Sequence, residues 1–273
     1  MIFIEIRKSV ATGDNNSMSF WAHFDVLRGV LFRIGALIVL LSVLFFIFMP
    51  QIFNAVILAP CNGDFPLYKL FDAISGATEH SFEVSLINIR LASQLSIHLS
   101  TSFELALVVG FPIVIYLLWG FISPALYPHE RQPAVKAFVA GNLMFYLGVA
   151  VGYFLIFPLT LRFLATYQLS EAIPNTITID SYMDNFTVII LVMGIVFEMP
   201  LLGWLLGKMG LITRNFFAMY RRHAVVALLV LAALITPTGD PFTLCVVFIP
   251  LYLLYEATAM TVKPKDQELI IES

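Results

Sequence analysis

Residues 36–49 read ALIVLLSVLFFIFM, a run with one hydroxyl and no charge. Such a run can fill the core of a large soluble domain or face lipid, and the surrounding composition decides between them. Of 273 residues, 60% are hydrophobic and 12% charged, with a mean hydropathy of +0.91. Average globular chains carry about twice that charged fraction. Too few polar side chains are present to cover an exterior in water, so the apolar surface must face lipid.

Working outward, the charge-free stretch around this run covers 34–60, with a first helix expected to end near Met49–Pro50. Further runs cover 105–126, 137–161, 185–207 (interrupted by Glu198), 224–239 and 241–255. The first four have the roughly 20 residues a bilayer requires. The last two are short: a 16-residue helix covers about 24 Å against a core of roughly 30 Å. Either they do not fully cross, or the membrane thins around them. A five-span alternative, with one bent helix over 224–260, is opposed by TPTGDP at 236–241, where two prolines and a glycine make a turn.

Lysine and arginine set the orientation. With the N-terminus inside, the inner segments hold Arg7, Lys8, Arg28, Arg33, Arg131, Lys136, Lys208, Arg214, Arg221, Arg222, Lys263 and Lys265, and the outer ones hold Lys69, Arg90 and Arg162. That bias puts both termini of a multi-pass protein on the cytoplasmic side of its membrane. Residues 1–18 read as a disordered extension with Met18 as a second possible start, 19–260 as the membrane domain and 261–273 as a cytoplasmic tail. No signal-peptide pattern opens the chain, so the first span would act as an uncleaved signal-anchor. The outer segment 61–103 begins as turn-rich CNGDFP and reads as partly helical; 160–184 reads as a helix end and a loop. No internal repeat supports an inverted-repeat transporter.

No motif for nucleophilic, metal or phosphate chemistry is present, and the two cysteines, Cys61 and Cys245, form no ligand pattern. The expectation is a non-enzyme without metal, cofactor or nucleic-acid partner. Glu198 stands out, because a carboxylate deep in a span costs at least about 2.5–3.5 kcal/mol. It is either a protonated group bonded to a neighbouring helix or a functional site in a hydrated concavity. Pro200 frees a backbone carbonyl nearby. Asp240 reads as a turn former, and Thr236 as a donor to backbone or to a partner.

The connector GFISPALYPHERQPAVK at 120–136 poses a second question, since inner loops normally collect cations yet Glu130 stands here beside Arg131. Prolines at 124, 128 and 133 restrict the chain, and an ordered carboxylate can accept a guanidinium through two parallel hydrogen bonds. On these residues alone, an arginine-reading loop and a solvated surface Glu both remain open.

The same connector closely resembles the signature of the TatC family, the multi-spanning receptor subunit of the twin-arginine protein translocase. Phe121, Ile122, Pro124, Ala125, Leu126 and Glu130 fit F-I-x-P-A-L-x-x-x-E in register. Four further stretches agree in order: FWAHFDVLRGVLFR at 20–33, FEMP at 197–200, LITPTGDPF at 234–242 and IPLYLLYE at 249–256. The resemblance implies an all-α, cup-shaped bundle of six transmembrane helices. It implies that Glu130 reads the paired arginines of a signal peptide, with Phe121, Pro124, Leu126 and Arg131 shaping the surface beside it. Asp25, Leu27 and Arg28 would join that inner site, and Pro112 would bend the second helix. Glu198 would lie in the concave face, and Thr236 with Asp240 would mark where single-span TatA- or TatB-type partners dock. Further copies of the chain and the proton-motive force complete the implied machinery. Two positions depart from the pattern: the family's amino-terminal glutamate falls at Val26, after Asp25, and a polar position early in the last helix holds Leu244. The rival readings are a secondary transporter using Glu198 as a proton or cation site and a scaffold without cargo.

Overall fold

The computed structural model describes residues 20–75, 82–122, 131–170, 172, 175–208, 210–236 and 239–262. Among them, six helical spans are long and apolar enough to cross a membrane: Phe24–Cys61, Ser93–Phe121, Ala137–Thr166, Ile179–Lys208, Arg214–Ile235 and Pro241–Thr261.

Helix α1, Phe20–Ile52, does not stop at Met49–Pro50 as the sequence suggested. It runs through Pro50 and continues as a π-helical turn, Phe53–Ile57, and a 3-10 turn, Ala59–Cys61. A proline removes one amide donor and leaves the carbonyl four residues earlier unpaired, at a cost of several kcal/mol in lipid. Here that carbonyl belongs to Phe46, and His98 Nε2 lies 2.8 Å from it, with the imidazole stacked on the Phe46 ring at 4.0 Å. The donor comes from α3, Ser93–Ile122. The same solution recurs at Pro112 within α3. There Tyr146 OH donates to the freed carbonyl of Val108 at 3.1 Å, and the helix continues. Tyr146 belongs to α4, Arg131–Val151, so the prolines inside α1 and α3 are each tied to a neighbouring span.

Helix α3 begins well before its charge-free run. The outer segment is therefore shorter than 61–103, and Glu104 lies inside a span rather than ahead of one. The outer segment holds α2, Pro66–Ser75, and strand β1, Leu86–Ile87. The third span continues from α4 through a π-helical turn, Gly152–Ile156, into α5, Phe157–Thr166. Strand β2, Ile177–Thr178, then pairs with β1 in parallel, Leu86 opposite Ile177. Neither strand was anticipated. Thr178 accepts from the Ser181 amide at 3.2 Å and caps α6, Ile179–Val196. A turn at Phe197–Glu198 leads into α7, Met199–Lys208.

The last two spans are α8, Arg214–Ile235, and α9, Pro241–Thr261, with 22 and 21 residues. They are the shortest of the six, yet at about 33 and 32 Å each can cross the core, which corrects the 16-residue expectation. The discrepancy has a plain cause: α8 begins in RNFFAMYRRH, whose charges lie on the helix but outside the charge-free run. Its apolar portion alone is short.

The core lies where the third span packs on the fourth, with the sixth against them; these three are 39%, 44% and 39% buried along their most apolar stretches, against 6%, 11% and 17% for the first, second and fifth. Gly148 makes that contact possible. A Cβ there would strike the Met193 carbonyl and lie 2.8 Å from Phe197 Cβ, so α4 backbone rests directly on α6. Close backbone approach through small residues is how helices associate without a hydrophobic driving force. On the outer side, Tyr68 of α2 is buried and donates to the carbonyls of Pro60 at 3.0 Å and Pro158 at 3.2 Å. Burial pushes its pKa up, so the phenol keeps its proton and remains a donor. Tyr153 OH reaches the Val56 carbonyl at 2.8 Å and Tyr182 OH the Ile57 carbonyl. These hydroxyls close the carbonyls of the π-helical turn.

Candidate functional site

The sequence-derived site residues separate into three levels. At the inner end, α1 presents Asp25 and Arg28 exposed and Leu27 half-buried. The Arg28 guanidinium lies over the Phe32 ring, 5.6 Å from its centroid. Phe24, Leu27, Arg28, Leu31 and Phe32 line a shallow apolar groove with a cationic edge. Helices α1 and α3 run antiparallel, since Phe46 meets His98 at the outer end and Leu41 meets Gly110 further in. This register carries Phe121, half-buried in the last turn of α3, to the same end of the pair as Arg28. Arg131 is the first residue of α4. Pro124, Leu126 and Glu130 lie outside the described residues. Helix α4 runs antiparallel to α3, since Tyr146 meets Val108 and Phe145 stacks on Phe111, so its start lies at this same inner end.

At the middle level, Glu198 occupies the turn between α6 and α7. Its amide donates to the Ile195 carbonyl at 3.1 Å, and its carbonyl accepts from the Leu202 amide at 3.0 Å. The carboxylate lies against α4 where Gly141 has no side chain. A Cβ on Gly141 would come within 3.1 Å of Glu198 Oε2 and 2.7 Å of Leu201 Cδ2. Oε1 is buried and has no hydrogen-bond partner among the described residues. The chain makes room for this group at Gly141.

At the outer level, Gly239 adopts φ +60, a conformation that favours glycine, and its amide donates to the Thr236 carbonyl at 3.0 Å. The Asp240 carboxylate accepts from the Thr243 amide at 2.7 Å and caps α9. Thr236 is buried, and its hydroxyl donates to the Ala232 carbonyl at 3.0 Å. The hydroxyl serves the helix end, and nearby Leu234 is 76% exposed.

Two polar groupings escaped the sequence reading. Thr187 of α6 donates to Glu104 of α3 at 2.8 Å, a second carboxylate within the spans. The run's apparent start at residue 105 hid it. At the inner ends of α8 and α9, Arg221 meets Glu256 at 2.8 Å and Tyr252 donates to the same carboxylate at 3.1 Å. Among the described residues no cluster of His, Cys, Asp and Glu could hold a metal.

Comparison with known proteins agrees with this geometry. The family profile described as "Sec-independent protein translocase protein (TatC)" matches residues 22–250. The TatC protein of Blattabacterium sp. subsp. Periplaneta americana is 32% identical over 251 residues, covering 89% of this chain and 94% of its own. That of Helicobacter pylori strain 26695 is 33% identical over 206 residues, covering 74% and 81%. Two crystal structures of a twin-arginine translocase receptor, TatC, superpose with TM-scores of 0.69 and 0.72 at 29% and 28% identity. Each match covers 88% of this chain and 97% or 99% of the other. The six-helix architecture is theirs, and the profile spans both the FISPAL connector and the Glu198 turn. This chain belongs to the TatC family of Sec-independent protein translocase proteins.

Proposed function

We propose that this chain reads the paired arginines of export signal peptides at its cytoplasmic face, as the receptor subunit of a Sec-independent translocase that moves folded proteins. The observation that carries the reading is the convergence at one inner end of Arg28, Phe121 and the start of α4. These elements frame the connector that ends in Glu130. Glu130 accepts one guanidinium, and the groove beside Arg28 accepts apolar signal residues. Glu198 acts later, inside the membrane, in coupling binding to transport. Single-span TatA- or TatB-type partners dock on the exposed apolar flanks of α8 and α9 near Thr236 and Asp240, and further copies of the chain complete the assembly. The proton-motive force drives the cycle.

The test is binding of a fluorescent signal peptide carrying two arginines, and of its two-lysine variant, to the purified protein and to Glu130→Gln. The expected result is selective binding of the arginine peptide. The variant should lose about 1.5–3 kcal/mol of it while remaining folded in the membrane. Equal binding of both peptides, unchanged in the variant, would move recognition to another surface. Reconstitution alone separates the transporter reading: coupled uptake by this chain without partners would favour it.

A further inference from the structure

Helix α2 has two apolar stripes where a water-facing helix would have one. Phe65, immediately before it, and Tyr68 point inward and are buried. Asp72 on the same side pairs with Arg162 at 3.4 Å. The opposite stripe runs Leu67, Leu70, Phe71, Ile74, the i, i+3, i+4, i+7 spacing of an amphipathic face. Leu70 is 57%, Phe71 43% and Ile74 76% exposed. In water that face would carry polar groups.

We propose that α2 lies in the outer membrane interface with this second stripe inserted into outer-leaflet lipid. The depth of the helix carries the argument. Phe65 stacks on Phe154 at 6.0 Å and meets the Tyr153 edge at 5.7 Å, both in the π-helical turn of the third span. Phe154 and Leu155 are themselves exposed within that span, so they belong to the lipid-facing surface. The α2 stripe continues this surface outward. Lys69 stands at its edge, paired with Asp64 at 3.0 Å, and both are exposed. An apolar face with charged groups at its rim is how interfacial helices sit between headgroups and acyl chains. A second copy of the chain is a poorer occupant. Four side chains on a ten-residue helix offer far less than the roughly 800 Å² per partner of a stable interface. The seating ties the outer cap to the bilayer directly.

The test uses the full chain in vesicles of equimolar phosphatidylethanolamine and phosphatidylglycerol. Cys245→Ser removes the exposed cysteine, and Cys61 is buried. Nitroxide labels are placed singly through Leu70→Cys and Ile74→Cys, with Asp64→Cys as the aqueous reference. Oxygen should relax the labels at 70 and 74 several-fold more than a water-soluble nickel chelate does, with the ratio reversed at 64. Chelate-dominated relaxation at 70 and 74 overturns the proposal by placing the stripe in water. Exclusion of both relaxants overturns it in favour of a protein cover, and spin–spin broadening lost on dilution with unlabelled chain would identify that cover as a second copy. Phe71→Trp gives a reading without nitroxide. Its fluorescence should be quenched by lipids brominated on the acyl chain rather than by aqueous iodide, and the reverse overturns the proposal.

Discussion

His98 Nε2 lies 2.8 Å from the carbonyl oxygen of Phe46, the one backbone acceptor that Pro50 deprives of its helical donor. The proline and the histidine are 48 positions apart in sequence and form one structural unit. Replacing His98 with Phe should preserve the stacking and lose the donor, at about 1–2 kcal/mol. Pro50→Ala restores an amide and should make the histidine dispensable. A double-mutant cycle by denaturant unfolding in detergent should give a coupling of about 1 kcal/mol. Additive effects would dissolve the pairing.

Gly148→Ala forces a Cβ against the Met193 carbonyl and Phe197. Overpacking of this kind costs about 1–3 kcal/mol, visible as a lowered melting temperature of the purified protein. Gly35→Ala is the control: a Cβ there meets nothing within 4 Å and should be neutral or slightly stabilising.

Glu198→Ala removes a carboxylate that the fold accommodates at Gly141, with no hydrogen bond to Oε1 among the described residues. Stability in detergent should be unchanged or raised, since at least about 2.5 kcal/mol of burial cost disappears. Signal-peptide binding should persist while export in cells falls. Export at the parental rate would leave the carboxylate without a task in transport.

Asp240→Ala should cost about 0.5–2 kcal/mol through loss of the bond from the Thr243 amide, and Asp240→Asn should recover most of it. If export fails in both variants while the fold is intact, Asp240 acts in partner docking as well as capping.

What was legible in the sequence follows from which forces are local. Six spans could be read because each contains a long apolar run, five of them free of charge and the fourth broken only by Glu198, and lipid tolerates little else. Their ends could not. Arg214 opens α8 ten positions before its charge-free run begins at Ala224, and α1 passes Pro50, where a distant histidine supplies the donor. The β1–β2 pair, two residues on each side and 91 positions apart, carries no periodic signal. Glu198 announced itself by its cost, whereas Gly141 became meaningful only once α4 lay beside it. Glu104 was hidden because the charge-free run starts just after it, at Leu105, while the helix starts at Ser93.

Among the described residues, three of the four ion pairs (Lys69–Asp64, Arg90–Asp180 and Arg162–Asp72) lie on the outer side, with the strand pair and the tyrosine bonds. Mechanically, the molecule is clamped at its outer rim. A 30-residue helix such as α3 is then a lever about 45 Å long, pivoted at that rim. A tilt of about 5° would carry its inner tip through about 4 Å, roughly the spacing between packed side chains.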